Sequence, residues 1–332
     1  MNVLKGTDIK YGTTQHREYL HMTGGLLGVK AKGGWLIGPL PGEAGPRHIG
    51  PIFDAQIAGA CQRLGTSVFG ADEVSETDPL LPSRVWTPIL GIPRLEHQPA
   101  DTWAWVEHAA RIAGDDDYAA LAQNISVTLR AAGIRLRDAS DQYHRQLVAA
   151  LNRKKPPGRF QNIPMTDLHL AFHSLLAELA SARDYLASIA GNHVSAPASI
   201  DALSRLTAWI KKPARSASHE PLIAALLDAC DETKPNPWLD DLSSYRNMFL
   251  HNEPLGTNEH ARWLSLVETT TILGKVMLIE MQIPVRSGLS QTCEALRRFV
   301  DLHARMYRLA DFGAQNAKYK PRVPHVQIAN RA

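Results

Sequence analysis

Six consecutive residues, Arg246-Asn247-Met248-Phe249-Leu250-His251, put a cation, an amide and an imidazole side by side. On a helix, Asn247 and His251 are four apart and project from nearly the same face. Arg246 lies about 140° round from His251, and its long guanidinium can reach back over the helix end or across to a second copy of the chain. The set suits a phosphodiester. Arginine holds phosphate oxygens with a planar fork, histidine moves protons near neutral pH, and asparagine orients the group. Pro254 disfavours helix at Glu253, so His251 falls in the last turn, where the helix dipole favours imidazolium.

Spacing alone does not make this a site. With 24 Arg and 14 His in 332 residues, about one R-x4-H is expected by chance, and a second one exists, Arg298–His303. Context separates them: the second has Phe299 after the Arg, sits mid-helix and has no breaker after its His, so it reads as a decoy. His169 and His173 have a metal-capable i,i+4 spacing. The residues between them, Leu170-Ala171-Phe172, make no HExxH, and no third ligand follows. They read as surface or core histidines, with a metal-dependent hydrolase as the rival. Arg183-Asp184 reads as an ion pair, with a role at the active cleft as the alternative. No GxSxG, SxxK or Cys/His nucleophile context occurs. The glycines of GGLLGVKAKGGWLIG match neither phosphate-binding loop, so no nucleotide, metal or other cofactor is expected.

The elements that must position these residues follow from punctuation and periodicity. Residues 1–100 hold 15 of the 23 glycines and 9 of the 21 prolines, which favours a small α+β or irregular region over long helices. Within it, Leu26–Ala31 and Trp35–Ile37 flank a turn and predict a hairpin, and Asp54–Leu64 predicts a short helix. Residues 101–152 form a helical extension, with helices over Asp101–Ala113 and Asp117–Leu151. Residues 153–163 read as a linker carrying the basic cluster Arg153, Lys154, Lys155 and Arg159, either a solvated face or a contact for a polyanion. Asp167–Ala190 is amphipathic, with Leu168, Phe172, Leu175, Leu179, Ala182, Leu186 and Ile189 on one stripe. Ser199–Ile210, Glu220–Cys230 and Trp238–His251 predict shorter helices. Asn258–Met281 predicts another long one, with Gly274 permitting close helix approach. A last helix, Leu289–Leu309, leads into a polar tail. The fold class expected is therefore mainly α, with an antiparallel bundle over 164–285 and a C-terminal helix and tail over 286–332.

The block Thr166–Met281 resembles a HEPN domain, the helical-bundle superfamily that includes endoribonucleases of toxin–antitoxin, abortive-infection and CRISPR systems. The likeness lies in three features: the long leading helix DLHLAFHSLLAELASARDYLASIAG, the RNMFLH signature matching R-x4-6-H with a polar residue after the Arg, and its place at a helix end before a last long helix. The resemblance implies that Arg246, Asn247 and His251 are the catalytic residues. It also implies that two domains pair into a composite cleft and that RNA, a tRNA or an mRNA, is cut without metal. In one subgroup a Tyr two residues after the His is modified by an antitoxin; here that position is Glu253. The resemblance implies a toxin or antiviral defence effector, a homodimer, with an antitoxin or defence-system protein as partner. The alternative is a non-catalytic helical scaffold in which RNMFLH is only a helix cap.

Composition bounds the rest. Apolar residues make up 44% and charged residues 21%, which excludes global disorder. Cys61, Cys230 and Cys293 form no CxxC, so neither a disulfide framework nor a zinc ribbon is expected. The first residues show no apolar signal core, and Leu264–Val285 is interrupted by Glu268, Lys275 and Glu280. No membrane span is therefore expected, and the protein is read as cytoplasmic. Net charge is +3, yet residues 297–332 carry eight Lys/Arg against two Asp/Glu, with Tyr307 and Tyr319 interleaved. Such a segment could attract RNA or be a plain basic tail.

Overall fold

Turn-forming residues divide the N-terminal region into short strands. The structure, a computed structural model, describes residues 3–4, 16–75, 83–89, 97–212, 219–234, 237–285 and 291–324. The chain forms two units from interleaved segments. The first comprises Met1–Arg94, Gly133–Ser174 and Asn247–Asp301; the second comprises Leu95–Ala132, Leu175–Arg246 and Leu302–Ala332.

In the first unit, β1 (Val3–Leu4), β2 (His16–Met22), β3 (Leu27–Ala31), β4 (Gly34–Leu40), β5 (Arg47–Ile52), β6 (Val68–Ser75) and β7 (Ser83–Pro88) make a seven-stranded antiparallel sheet of order β1-β5-β4-β3-β2-β6-β7. The expected hairpin is present: β3 and β4 pair from Leu27↔Gly38 to Ala31↔Gly34 around Lys32-Gly33. The expected short helix is α1 (Ile57–Leu64), entered through a 3-10 turn at Asp54–Gln56. The turn Thr23–Gly25 is packed so closely that a Cβ on Gly24, whose φ is +77°, would sit 2.9 Å from the Leu278 side chain. Met22, Leu26, Ile37, Leu40, Leu64, Tyr143, Leu147, Phe172 and Phe299 are buried in this unit's core, and Phe172 meets Phe299 edge-on at 4.8 Å.

The mainly α reading, with a bundle over 164–285, is overturned here. Where the long helix Asn258–Met281 was expected, β9 (Leu264–Thr271) and β10 (Gly274–Pro284) form a hairpin. With β11 (Thr292–Glu294) and β8 (Gly158–Phe160) they complete a four-stranded antiparallel sheet of order β11-β10-β9-β8. The expected linker over 153–163 thus contains a strand. Two physical reasons account for the misreading. Val276, Met277, Leu278 and Ile279 are all buried, so β10 is covered on both faces and reads as a continuous apolar run, which periodicity alone cannot tell from a buried helix. The β-branched residues Val267, Thr269, Thr270, Thr271, Val276, Ile279 and Ile283 then favour strands. Gly274 does not ease a helix contact: its φ of +99° lets the chain reverse after Ile272-Leu273. Thr271 Oγ1 ties that turn, accepting from Leu273 N at 3.1 Å and donating to Gly274 O at 3.0 Å.

The second unit is helical. It contains α2 (Pro99–Ile112), α3 (Asp116–Asn152) as far as Ala132, α4 (Met165–His193) from Leu175, α5 (Leu203–Ile210), α6 (Pro221–Cys230), α7 (Trp238–Asn247) as far as Arg246, and α8 (Ala295–Gln315) from Leu302. The helices expected over 101–113, 117–151, 167–190 and 220–230 are present, with ends shifted by a few residues. Trp103 is fully buried and donates from Nε1 to Ala310 O at 2.8 Å; buried Tyr307 donates to Leu129 O at 2.9 Å. Among the described residues no helix is long and apolar enough to cross a membrane. The last helix, expected from Leu289, begins at Ala295, because Thr292–Glu294 form β11 instead; Leu289 itself and the tail beyond residue 324 lie outside the described residues.

Candidate active site

Helix α7 begins after Pro237, whose carbonyl accepts from Asp240 N and Asp241 N at 3.1 Å each. Asp240 and Asp241 in its first turn and Arg246 in its last complement the helix dipole. Trp238, Leu239, Leu242 and Tyr245 form the buried stripe. The helix does not stop where an α-helix ordinarily would. It opens into a π-helical turn, Met248–Asn252, closed by Glu253 N donating to Met248 O at 2.6 Å. Such wide turns occur mostly as single turns and are frequent at functional sites. Met248 and Phe249 are buried and anchor this turn, whereas His251 and Asn252 are exposed.

The structure places the three expected catalytic residues as follows. Arg246 is half-buried at the last residue that the second unit draws from α7. Asn247, which ends α7, and His251, in the π turn, are exposed and belong to the first unit. Asn247 and His251 are therefore open to a ligand on one continuous turn of chain. Arg246 and Asn247 both make further interactions within the fold.

His169 and His173 do not look outward for a metal. His169 donates from Nε2 to Ala261 O at 3.2 Å, and His173 Nε2 accepts from Leu255 N at 3.2 Å. Burial lowers the pKa of both. Their bonds fix the segment that follows the π turn. Asn258 does the same from within, its Oδ1 accepting from His260 N and Ala261 N at 3.1 Å each and its Nδ2 donating to Glu253 Oε2 at 3.0 Å. Among the described residues no three His, Cys, Asp or Glu side chains gather as metal ligands.

Arg183 and Asp184 form a two-pronged ion pair, Nε to Oδ1 at 2.9 Å and Nη2 to Oδ2 at 3.0 Å. Arg183 also donates from Nη1 to Ser243 Oγ at 2.5 Å, which holds α7 one turn before Arg246. Asp184 Oδ1 accepts from Leu203 N at 3.1 Å, so the pair braces α5 as well. The decoy histidine, His303, is fully buried, and burial pushes its imidazole down to about 3.

Two buried polar clusters escaped the sequence reading. In the first unit, Arg84 is ion-paired with Asp72 and bidentate to Asp141 at 2.7 and 3.1 Å; His21 lies 3.6 Å from Asp72, and its Nδ1 hydrogen-bonds Ser140 Oγ at 2.9 Å. Burial opposes the Asp72 charge, but the adjoining His21 and Arg84 outweigh it and hold the carboxyl below its ordinary range. In the second unit, Glu220 bonds His193 Nδ1 at 2.9 Å, and His193 Nε2 bonds Tyr118 Oη at 2.9 Å. Burial pushes the Tyr118 phenol up to about 12. Each cluster joins residues far apart in sequence, His21 with Asp72 and Ser140, and Tyr118 with His193 and Glu220, and no local spacing announces them. Both stitch elements together, and Arg84 stays exposed at the edge of the first.

No family model, no curated protein and no solved structure matches this chain.

Proposed function

We propose that this protein is a metal-independent endoribonuclease acting through Arg246, Asn247 and His251. The observation that carries the reading is the π turn, which presents His251 to solvent while Met248 and Phe249 hold its backbone. The HEPN-like signature in the sequence supplies the chemistry. The substrate's 2′-OH is the nucleophile: His251 takes its proton, the 2′-oxygen bonds to phosphorus, and the 5′-oxygen leaves with a proton from an acid. Arg246 stabilises the phosphate as charge builds, and Asn247 orients it. One histidine cannot be base and acid in the same step, so two copies of the chain pair and contribute one each. RNMFLH contains no carboxylate, and hard divalent ions want oxygen ligands. In cells such an activity fits a toxin or antiphage effector, with a tRNA or mRNA as target and an antitoxin or defence-system protein as regulator.

The test is incubation of the purified protein with a tRNA pool and an mRNA in EDTA, followed by mapping of the ends. Cleavage should persist, leave a 2′,3′-cyclic phosphate and a 5′-hydroxyl, and stop when the nucleotide at the cut is 2′-deoxy. Cleavage that needs added metal and leaves 5′-phosphates would overturn the mechanism. No cleavage of either RNA, with or without metal, would leave the non-catalytic scaffold.

A further inference from the structure

The segment after α3 has a charge pattern that the active site does not use. From Gln142 to Thr166 the chain contains five Lys or Arg and no Asp or Glu. Helix α3 ends in this run, and its C-terminal carbonyls favour cations close by. Lys154 sits at φ +48°, a left-handed conformation uncommon for a side-chain-bearing residue, and lets Lys154 N and Lys155 N turn back onto Leu151 O and Ala150 O at 3.0 and 2.9 Å. The chain then runs into β8, the edge strand of the four-stranded sheet.

This geometry leaves an open-mouthed cavity of about 330 Å³ in the first unit, between the end of α3 on one side and the end of β8 with Gln161-Asn162 on the other. Arg153, Lys154 and Lys155 line it; Arg159, exposed on β8, precedes the lining residue Phe160 and projects from the other face of the strand. Phe160 forms part of the wall and is half-buried; Lys155 Nζ lies 4.9 Å from its ring centroid. An amide pair joins the two walls, Gln146 on α3 and Asn162 just after β8. Gln146 Nε2 donates to Asn162 Oδ1 at 3.0 Å, and Asn162 Nδ2 donates to Gln146 Oε1 at 2.6 Å. Gln146 is only 4% exposed, so the pair is fixed. Each amide retains one N–H and one lone pair beyond this exchange.

We propose that this cavity binds single-stranded RNA: the three cations hold backbone phosphates, Phe160 offers a stacking face to one base, and the Gln146–Asn162 pair meets that base's edge. The inference rests on RNA being the substrate and adds an exosite that keeps a strand on the protein. A concave pocket with an aromatic wall and fixed amides suits a nucleotide. A bilayer surface cannot enter it, and an acidic peptide would leave the ring and the amides unused. Charged residues on an edge strand also discourage strand pairing, but that role needs neither the cavity nor the amide pair.

The experiment is fluorescence anisotropy with a fluorescein-labelled oligouridine in EDTA, in a His251→Ala background so that the strand survives. The probes compared are the RNA, inorganic phosphate as competitor, phosphatidylcholine/phosphatidylserine vesicles and a polyglutamate peptide. Replacing Arg153, Lys154 and Lys155 together with Ala should weaken RNA binding at least tenfold and make the log Kd against log salt slope shallower by about 2. Phe160→Leu should weaken it roughly tenfold with the salt slope unchanged. Both variants should keep the parent melting temperature. Unchanged affinity and slope in the triple variant would overturn the exosite, as would tighter binding of vesicles or polyglutamate than of RNA. Equal competition by inorganic phosphate, without dependence on strand length, would reduce the cavity to an anion site and also overturn it. Binding without any cleavage by the His251-intact protein would sink the proposed function and leave the exosite standing. Cleavage together with unchanged binding in the triple variant would do the reverse.

Discussion

Arg246–His251 and Arg298–His303 share one spacing and differ in everything that spacing omits. His251 stands exposed in a π turn that ends a helix before Pro254. His303 lies within α8, fully buried, its ring 4.3 Å from that of Tyr307 and its imidazole pushed down to about 3. An imidazole sealed from solvent and held neutral cannot exchange protons with a substrate. Both arginines interact within the fold, Arg298 lying 3.4 Å from Asp301, so the histidines carry the contrast. The contrast teaches that helix termination, more than residue spacing, decides whether an Arg–His pair can meet a ligand.

The largest expected effect breaks or upholds that contrast directly. His251→Ala and Arg246→Ala should each lower RNA cleavage by about 10²–10⁴-fold. His303→Leu and Arg298→Ala should leave the rate per folded molecule unchanged. Equal losses in both pairs, measured by single-turnover cleavage on folded protein, would erase the distinction.

The next effect is largest at His303, the most strongly shifted of the buried histidines. Its folded-state value of about 3 lies below the ordinary 6.5, so the unfolded chain takes up a proton in that window and the folded chain does not. The stability this provides is fully present above pH 6.5 and is lost as pH falls toward 3, amounting to on the order of 5 kcal/mol at most. Urea unfolding at pH 7, 5 and 4 should show the decline in wild type and a flatter profile in His303→Leu. Identical profiles would mean that His303 is not sealed.

A smaller effect sharpens the account of how α7 is held. Ser243→Ala removes the hydroxyl that accepts from Arg183 and should cost about 1.5 kcal/mol of stability. A neutral substitution would mean that Asp184 alone fixes Arg183.

Much of this was legible in the sequence. The helices of 101–152 and 167–190 follow from their apolar stripes, and the β3–β4 hairpin follows from its glycines. The end of α7 is legible in Pro254. The π turn is not, because an i→i+5 closure leaves no compositional mark. Nor was the β9–β10 hairpin, since a strand buried on both faces loses its alternation and Val276–Ile279 mimics a helix core. The roles of His169 and His173 were hidden for another reason: they bind backbone atoms of Leu255 and Ala261, some eighty and ninety positions away. Tertiary partners of that kind have no local signature.

The exposure of His251 permits one direct measurement. His251→Gly removes the imidazole and leaves an open space at the surface, so imidazole added to the buffer can take its place in proton transfer. RNA cleavage by His251→Gly in EDTA should be lost and then restored by imidazole in a concentration-dependent way, at the same phosphodiesters that wild type cuts. Cleavage by His251→Gly at the wild-type rate without imidazole would contradict the assignment of His251 as the proton-transfer group.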